Sequence, residues 1–156
     1  MKIINKKRKI KASDFDELWL EIILSREVLE RKDILYLLDK FEIKFTNKNW
    51  KNKTPIKEMG LVLTFEYSGT KQQKLLLNET KKIIEEKYPN LINYNESKKI
   101  FLLLIKLDES TLIKLCIAFG KNKNYVEMLK INGKKVGINK HDLIFNLFEE
   151  IYSYNK

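Results

Sequence analysis

The reactive side chains of this sequence are few. His141 and Cys116 are each the only residue of their kind. Neither a zinc site of ordinary spacing nor a Cys–His nucleophile pair in one neighbourhood is therefore on offer, and no disulfide can form within the chain. Cys116 lies in an apolar run, TLIKLCIAFG, where a thiol reads as a small buried hydrophobe in a reducing compartment. His141 falls in the first turn of a predicted final helix, which gives it a surface or packing role. One carboxylate pattern resembles catalytic machinery. Asp33 or Asp39 followed by Glu42-Ile43-Lys44 has the Asp…Glu-x-Lys order of metal-dependent nucleases, in which carboxylates hold a divalent ion and the lysine positions or activates water. That mechanism wants its carboxylates at adjacent strand ends, and both aspartates fall on a predicted helix, so the set reads as a solvated helix end. SGTKQQK at 68–74 contains a single glycine and reads as a strand-to-helix turn whose helix N-terminus offers free amides to an anion. Together these readings predict a protein that is not an enzyme and uses neither metal nor cofactor.

The remaining chemistry is electrostatic. The net charge of +10 is gathered in zones: residues 1–11 carry six cations and no anion, whereas residues 12–41 carry four cations against eight carboxylates. Residues 42–60 are net +3, and residues 120–141 are net +5, with only Glu127 opposing their lysines. Basic zones around an acidic segment are the expected footprint of phosphate binding, because each neutralised phosphate releases counterions. The competing reading is a lysine-rich solvated surface. In IKFTNKNWKNKTPIKEMG, at 43–60, five lysines and one carboxylate surround Phe45 and Trp50. Thr46, Asn47, Lys48, Asn49, Lys51 and Lys53 supply donors for phosphates and base edges. Residues 46–52 read as the short second helix of a helix-turn-helix-like unit. Trp50 reads as a core anchor, with a base-stacking platform as the alternative, because its five-residue separation from Phe45 keeps the two rings off one helical face. The predicted nucleic-acid contacts are Lys6, Lys7, Arg8 and Lys9 in the first zone, Lys48, Asn49, Lys51 and Lys53 in the second, and Lys121, Lys123, Lys134 and Lys135 in the third.

Elements must hold these residues in place. Ser13, followed by Asp14, Asp16 and Glu17, signals a helix start, and Phe15, Leu18, Trp19, Ile22 and Ile23 continue at helical spacing. A second helix is expected from Ser25, with Ile34, Leu37, Leu38 and Phe41 on one face. Thr54-Pro55 marks another start, followed by a short helical turn that Gly60 interrupts and then LVLTFEY (61–67) as a strand, with a helix from Pro55 to Tyr67 as the alternative. Residues 70–87 read as a helix with Leu76, Leu77, Thr80, Ile83 and Ile84 inward. IFLLLIKL (100–107) and TLIKLCIAF (111–119) read as hairpin strands about the turn DES, and YVEMLKI and KKVGI as a second hairpin about Asn132-Gly133. Asn139 caps a last helix with Leu143, Ile144, Leu147, Phe148 and Ile151 as its stripe. The predicted fold class is α+β: a basic flexible tail (1–12), a helical hairpin or helix-turn-helix-like part (13–60), and an antiparallel sheet covered by helices (61–156). The opening segment lacks an apolar stretch, and no run approaches the ~18 apolar residues of a span, so a cytoplasmic protein without membrane contact is expected.

Ile43-Lys44-Phe45-Thr46, Asn49-Trp50, Thr54, Ile56 and Met59-Gly60 resemble a stretch in a streptococcal phage anti-CRISPR family whose N-terminal part is helix-turn-helix-like. Members of that family bind and inhibit a type II-A CRISPR nuclease effector and act as dimers. The resemblance implies a protein partner and a homodimer, and it covers residues 43–60. Two functions thus follow from the sequence: a nucleic-acid-binding protein or regulator using its basic zones, and an inhibitor that binds a nuclease effector.

Overall fold

The computed structural model describes residues 10–67, 69–119 and 140–154. Its regular structure is helical: a 3-10 turn at Ala12–Asp14, then α1 (Phe15–Ser25), α2 (Arg31–Lys40), α3 (Trp50–Lys53), α4 (Ile56–Tyr67), α5 (Gln72–Lys87), α6 (Tyr94–Leu104), α7 (Glu109–Ala118) and α8 (Lys140–Tyr154). No strand occurs among the described residues. The chain divides into two compact units, Asp16–Tyr94 and a second made of Met1–Phe15 with Asn95–Asn155.

The expected α+β fold with its antiparallel sheet is therefore corrected to an all-helical one. LVLTFEY is the second half of α4, in which Met59, Gly60 and Leu63 are buried. IFLLLIKL runs from α6 into the turn after it, and Ser97, Phe101 and Leu104 are buried at spacings of four and three. TLIKLCIAF runs through α7, with Leu112 and Cys116 buried four apart. A short continuous apolar run fits a period of 2 and a period of 3.6 equally well. Polar punctuation decides instead. Asp108, read as part of a hairpin turn, is the N-cap of α7, and its carboxylate accepts the Thr111 amide N–H at 2.8 Å. That hydrogen bond holds the Asp108 carboxyl below its ordinary range. The hairpin about Asn132-Gly133 and the cap Asn139 lie outside the described residues.

Other starts and stops also move. Ser13 sits inside the 3-10 turn, and the Lys11 amide donates to Asp14 at 2.8 Å. Ser25 closes α1, its hydroxyl donating to the Glu21 carbonyl; α2 begins only at Arg31.

In the unit Asp16–Tyr94, α1 has a wide apolar face on which Leu18, Trp19, Ile22, Ile23 and Leu24 are all buried, while Glu17 is exposed on its polar side. α2 buries Ile34, Leu37 and Leu38, and α5 buries Leu76, Leu77, Thr80, Ile83 and Ile84; these two helices and α4 pack on one another. Gly60 is where α4 meets α1. A Cβ there would lie 1.6 Å from the Leu24 carbonyl oxygen, so only glycine permits this approach. In the other unit α7 and α8 pack together, Phe15 meets Phe101 and Phe148 with centroids 5.1 and 6.3 Å away, and the Ser97 and Tyr152 hydroxyls share a buried 2.7 Å hydrogen bond.

Candidate nucleic-acid interface

The basic elbow between α2 and α4 is held from the α2 side by two devices. At its C-terminal end, the Ile43 amide donates to the Leu38 carbonyl at 2.9 Å and the Glu42 amide to Asp39 at 3.1 Å. Glu42 stands between them with φ of 56°. This is a Schellman stop, whose left-handed position ordinarily falls to glycine. At its N-terminal end, Arg31 reaches across to α3 and donates from Nη1 to the carbonyls of Lys51 and Thr54 at 3.1 and 2.7 Å. A cation at the C-terminus of α3 satisfies carbonyls that the single turn leaves open.

A third device fixes α2 itself. The Asp33 side chain is 0% exposed; it accepts from Lys87 Nζ at 2.7 Å and from the Tyr88 hydroxyl at 2.6 Å. The same hydroxyl accepts the Glu30 amide N–H at 2.9 Å, and Glu30 is the N-cap of α2. Tyr88 thus relays the free amide to the carboxylate of the first turn, a capping box with a phenol inserted. Burial, followed by the bond to Asp33, raises the Tyr88 hydroxyl far above its ordinary range, and the same carboxylate raises Lys87.

Between these anchors the chain forms no long helix. The expected second helix over 46–52 reduces to α3, Trp50–Lys53, and the preceding residues are bends and turns. The Asn47 side chain accepts the Asn49 amide at 3.0 Å and its carbonyl accepts the Trp50 amide at 3.1 Å; this turn chemistry competes with helix. A one-turn α3 does not make the groove-reading helix of a helix-turn-helix. Because Phe45 precedes α3 in non-helical chain, it folds back onto Trp50, centroids 5.3 Å apart and planes at 35°. Trp50 is half-buried, which corrects its reading as a core anchor; Trp19 is the fully buried tryptophan.

Lys48, Asn49, Lys51 and Lys53 are all exposed on this elbow. Lys51 Nζ stands 5.8 Å from the Trp50 ring centroid. Lys32, Lys40 and Lys87 are ion-paired, whereas Lys44, Lys48, Lys51 and Lys53 form no ion pair among the described residues. Lys6, Lys7, Arg8, Lys9, Lys121, Lys123, Lys134 and Lys135 lie outside the described residues.

Beside the elbow is an open cleft of about 630 Å³. Leu35 and Ile43 give it apolar surface, Asp39 and Glu42 carboxylates, Lys44 and Lys51 cations, and Trp50 a ring. The members Asp39, Glu42 and Lys44 of the nuclease-like pattern thus meet, while Asp33 is committed to Lys87 and Tyr88. No group of three His, Cys, Asp or Glu placed to hold a metal ion occurs among the described residues. The turn at 69–71 follows a helix instead of a strand; Gly69 has φ of 74° and its amide is taken by the Gln73 side chain at 3.1 Å. His141 stacks on Phe145 in α8, and Cys116 is buried with its thiol 3.5 Å from the Leu143 carbonyl oxygen. Among the described residues no helix is long and apolar enough to cross a membrane.

Arg31, Tyr88 and Lys87 were not legible as site-building residues from the sequence, because their partners lie 20 to 58 positions away. Comparison of the chain with protein-family models, with characterised proteins and with solved structures gives no match.

Proposed function

We propose that the protein is a non-enzymatic nucleic-acid-binding protein whose contact surface includes the elbow between α2 and α4. The observation that carries this reading is the concentration of Lys44, Lys48, Lys51 and Lys53 in one short, anchored segment, exposed and without carboxylate partners among the described residues. Closely spaced lysines held in no ion pair attract a polyanion and gain by counterion release. The Schellman stop and the Arg31 clamp reduce the ordering cost of presenting them. A solvated lysine face has the same composition, so the test is site-specific. Lys48, Lys51 and Lys53 replaced together by Gln should lose most affinity for labelled DNA or RNA in an anisotropy titration. Lys71 and Lys74, also exposed, replaced by Gln as the control, should lose little. Equal losses in the two variants would make the effect one of net charge and refute the assignment.

The second reading, an inhibitor of a nuclease effector, draws on Phe65 in α4 and Leu75 in α5, which remain 65% and 58% exposed. Exposed apolar anchors of this kind suit a protein partner. Phe65→Ser with Leu75→Ser would abolish capture of an effector on that reading and leave nucleic-acid binding unchanged on the first.

A further inference from the structure

The cleft beside the elbow has a composition that phosphate binding alone does not explain. Two carboxylates, Asp39 and Glu42, line it next to Lys44 and Lys51. A phosphate placed inside would face those like charges at close range, a repulsion that the two lysines only cancel. An uncharged, flat, hydrogen-bonding group has no such conflict. It could lie against the Trp50 ring, with Leu35 and Ile43 for its apolar faces and carboxylate oxygens for its N–H groups, while the charged chain it belongs to runs over the exposed lysines outside. Trp50 is already held by Phe45 at 5.3 Å, so its ring needs little ordering on binding. The volume, about 630 Å³, falls within the roughly 300–1,000 Å³ of small-ligand clefts.

We infer that this cleft seats an unpaired nucleobase, so that the nucleic acid bound is single-stranded, and that it favours bases bearing an exocyclic amine. The inference rests on the nucleic-acid reading of the elbow. Ionised carboxylates accept hydrogen bonds and cannot donate them. At position 4 cytosine offers an amino donor where uracil offers a carbonyl, so there Asp39 and Glu42 accept from the first base and repel the second, whose one edge donor is N3–H. A duplex, with its bases paired and stacked, cannot supply one to the cleft without unstacking.

The experiment uses the full chain with oligocytidine, oligouridine of the same length and a duplex of the same phosphate count, followed by anisotropy and by tryptophan fluorescence. Oligocytidine should bind at least about fivefold more tightly than oligouridine and more tightly than the duplex, and it should quench fluorescence. Trp19 is fully buried and serves as the unquenched reference. Trp50→Phe should retain binding and lose the quenching. Asp39→Asn with Glu42→Gln, both at exposed positions, should bind the two oligonucleotides equally with an unchanged dependence on salt, because an amide serves either base edge. Equal binding of oligocytidine and oligouridine by the parent, or preference for the duplex, overturns the base cleft and leaves the phosphate reading standing. Absence of binding to all three overturns both.

Discussion

Gly60→Ala isolates the close approach of α4 to α1 in the unit Asp16–Tyr94. Helix propensity alone favours alanine over glycine by about 1 kcal/mol in a helix interior, and Gly60 lies in the middle of α4. The tertiary contact opposes this. The new Cβ would sit 1.6 Å from the Leu24 carbonyl oxygen, 2.4 Å from its carbon and 3.2 Å from the Ser25 nitrogen. All three are backbone atoms, so no side chain can rotate away, and α4 must withdraw from α1 by on the order of 1.5 Å to restore ordinary contact. Met59 and Leu63, both 0% exposed, would lose packing in that movement. Overpacking costs about 1–3 kcal/mol where a core can adjust and more where it cannot. The clash here is with backbone that cannot adjust, so a cost of about 3–5 kcal/mol is expected, and subtraction of the propensity gain leaves a net destabilisation of roughly 2–4 kcal/mol. For a chain of this size the melting temperature should fall by about 5–15 °C. Circular dichroism melts and urea titrations of parent and variant measure it. A variant that melts at or above the parent would refute the helix crossing at Gly60, because propensity would then act unopposed.

Asp33→Asn should destabilise by about 2–3 kcal/mol in urea titration, since a buried acceptor of two hydrogen bonds loses its charge; Tyr88→Phe, which removes one of those bonds and leaves the ion pair with Lys87, should cost less. Glu42→Gly should raise stability by about 1 kcal/mol, because glycine occupies the left-handed position of the α2 stop without strain. Trp50→Ala should cost no more than about 1.5 kcal/mol, far less than a core tryptophan, since its ring is half-buried. Asp108 and Glu79 are both held below the ordinary carboxylate range, Asp108 by the Thr111 amide and Glu79 by its hydrogen bond to Lys40. Their stabilisation is present above the ordinary carboxylate range and is lost as pH falls through their lowered values. Melting temperature measured against pH should accordingly show a shallower acid limb for Asp108→Asn, in which a good cap remains but no longer titrates.

The legible parts of this fold are those where one signal stood alone. α5 and α8 have apolar stripes separated by charged faces, and residues 76, 77, 80, 83 and 84 are buried as their spacing requires. The errors fall where apolar residues run without interruption. LVLTFEY, IFLLLIKL and TLIKLCIAF carry strand-like content, yet each lies on a helix that buries one face, through Leu63, Phe101 with Leu104, and Leu112 with Cys116, and leaves Phe65, Leu103 and Phe119 exposed, so only packing decides. Glycine misled for a related reason. Gly60 interrupts α4 as a local signal, but its function is the close approach to Leu24, which no local window contains. In the site, the exposed lysines could be read directly from composition. The stacking of Phe45 on Trp50 could not, because it depends on the chain at 43–49 being non-helical. The convergence of Asp39, Glu42 and Lys44 on one cleft follows from the Schellman turn at Glu42, a residue type that rarely announces a left-handed backbone.

The central claim, that the elbow binds nucleic acid through its lysines, is tested most directly by the salt dependence of affinity for a single-stranded oligonucleotide. Each phosphate contact contributes about 0.7 to the slope of log K against log salt concentration. Replacing Lys48, Lys51 and Lys53 by Gln should therefore flatten the slope of the parent by about 2 while the melting temperature stays unchanged. Coincident slopes for the parent and the triple variant would contradict the claim.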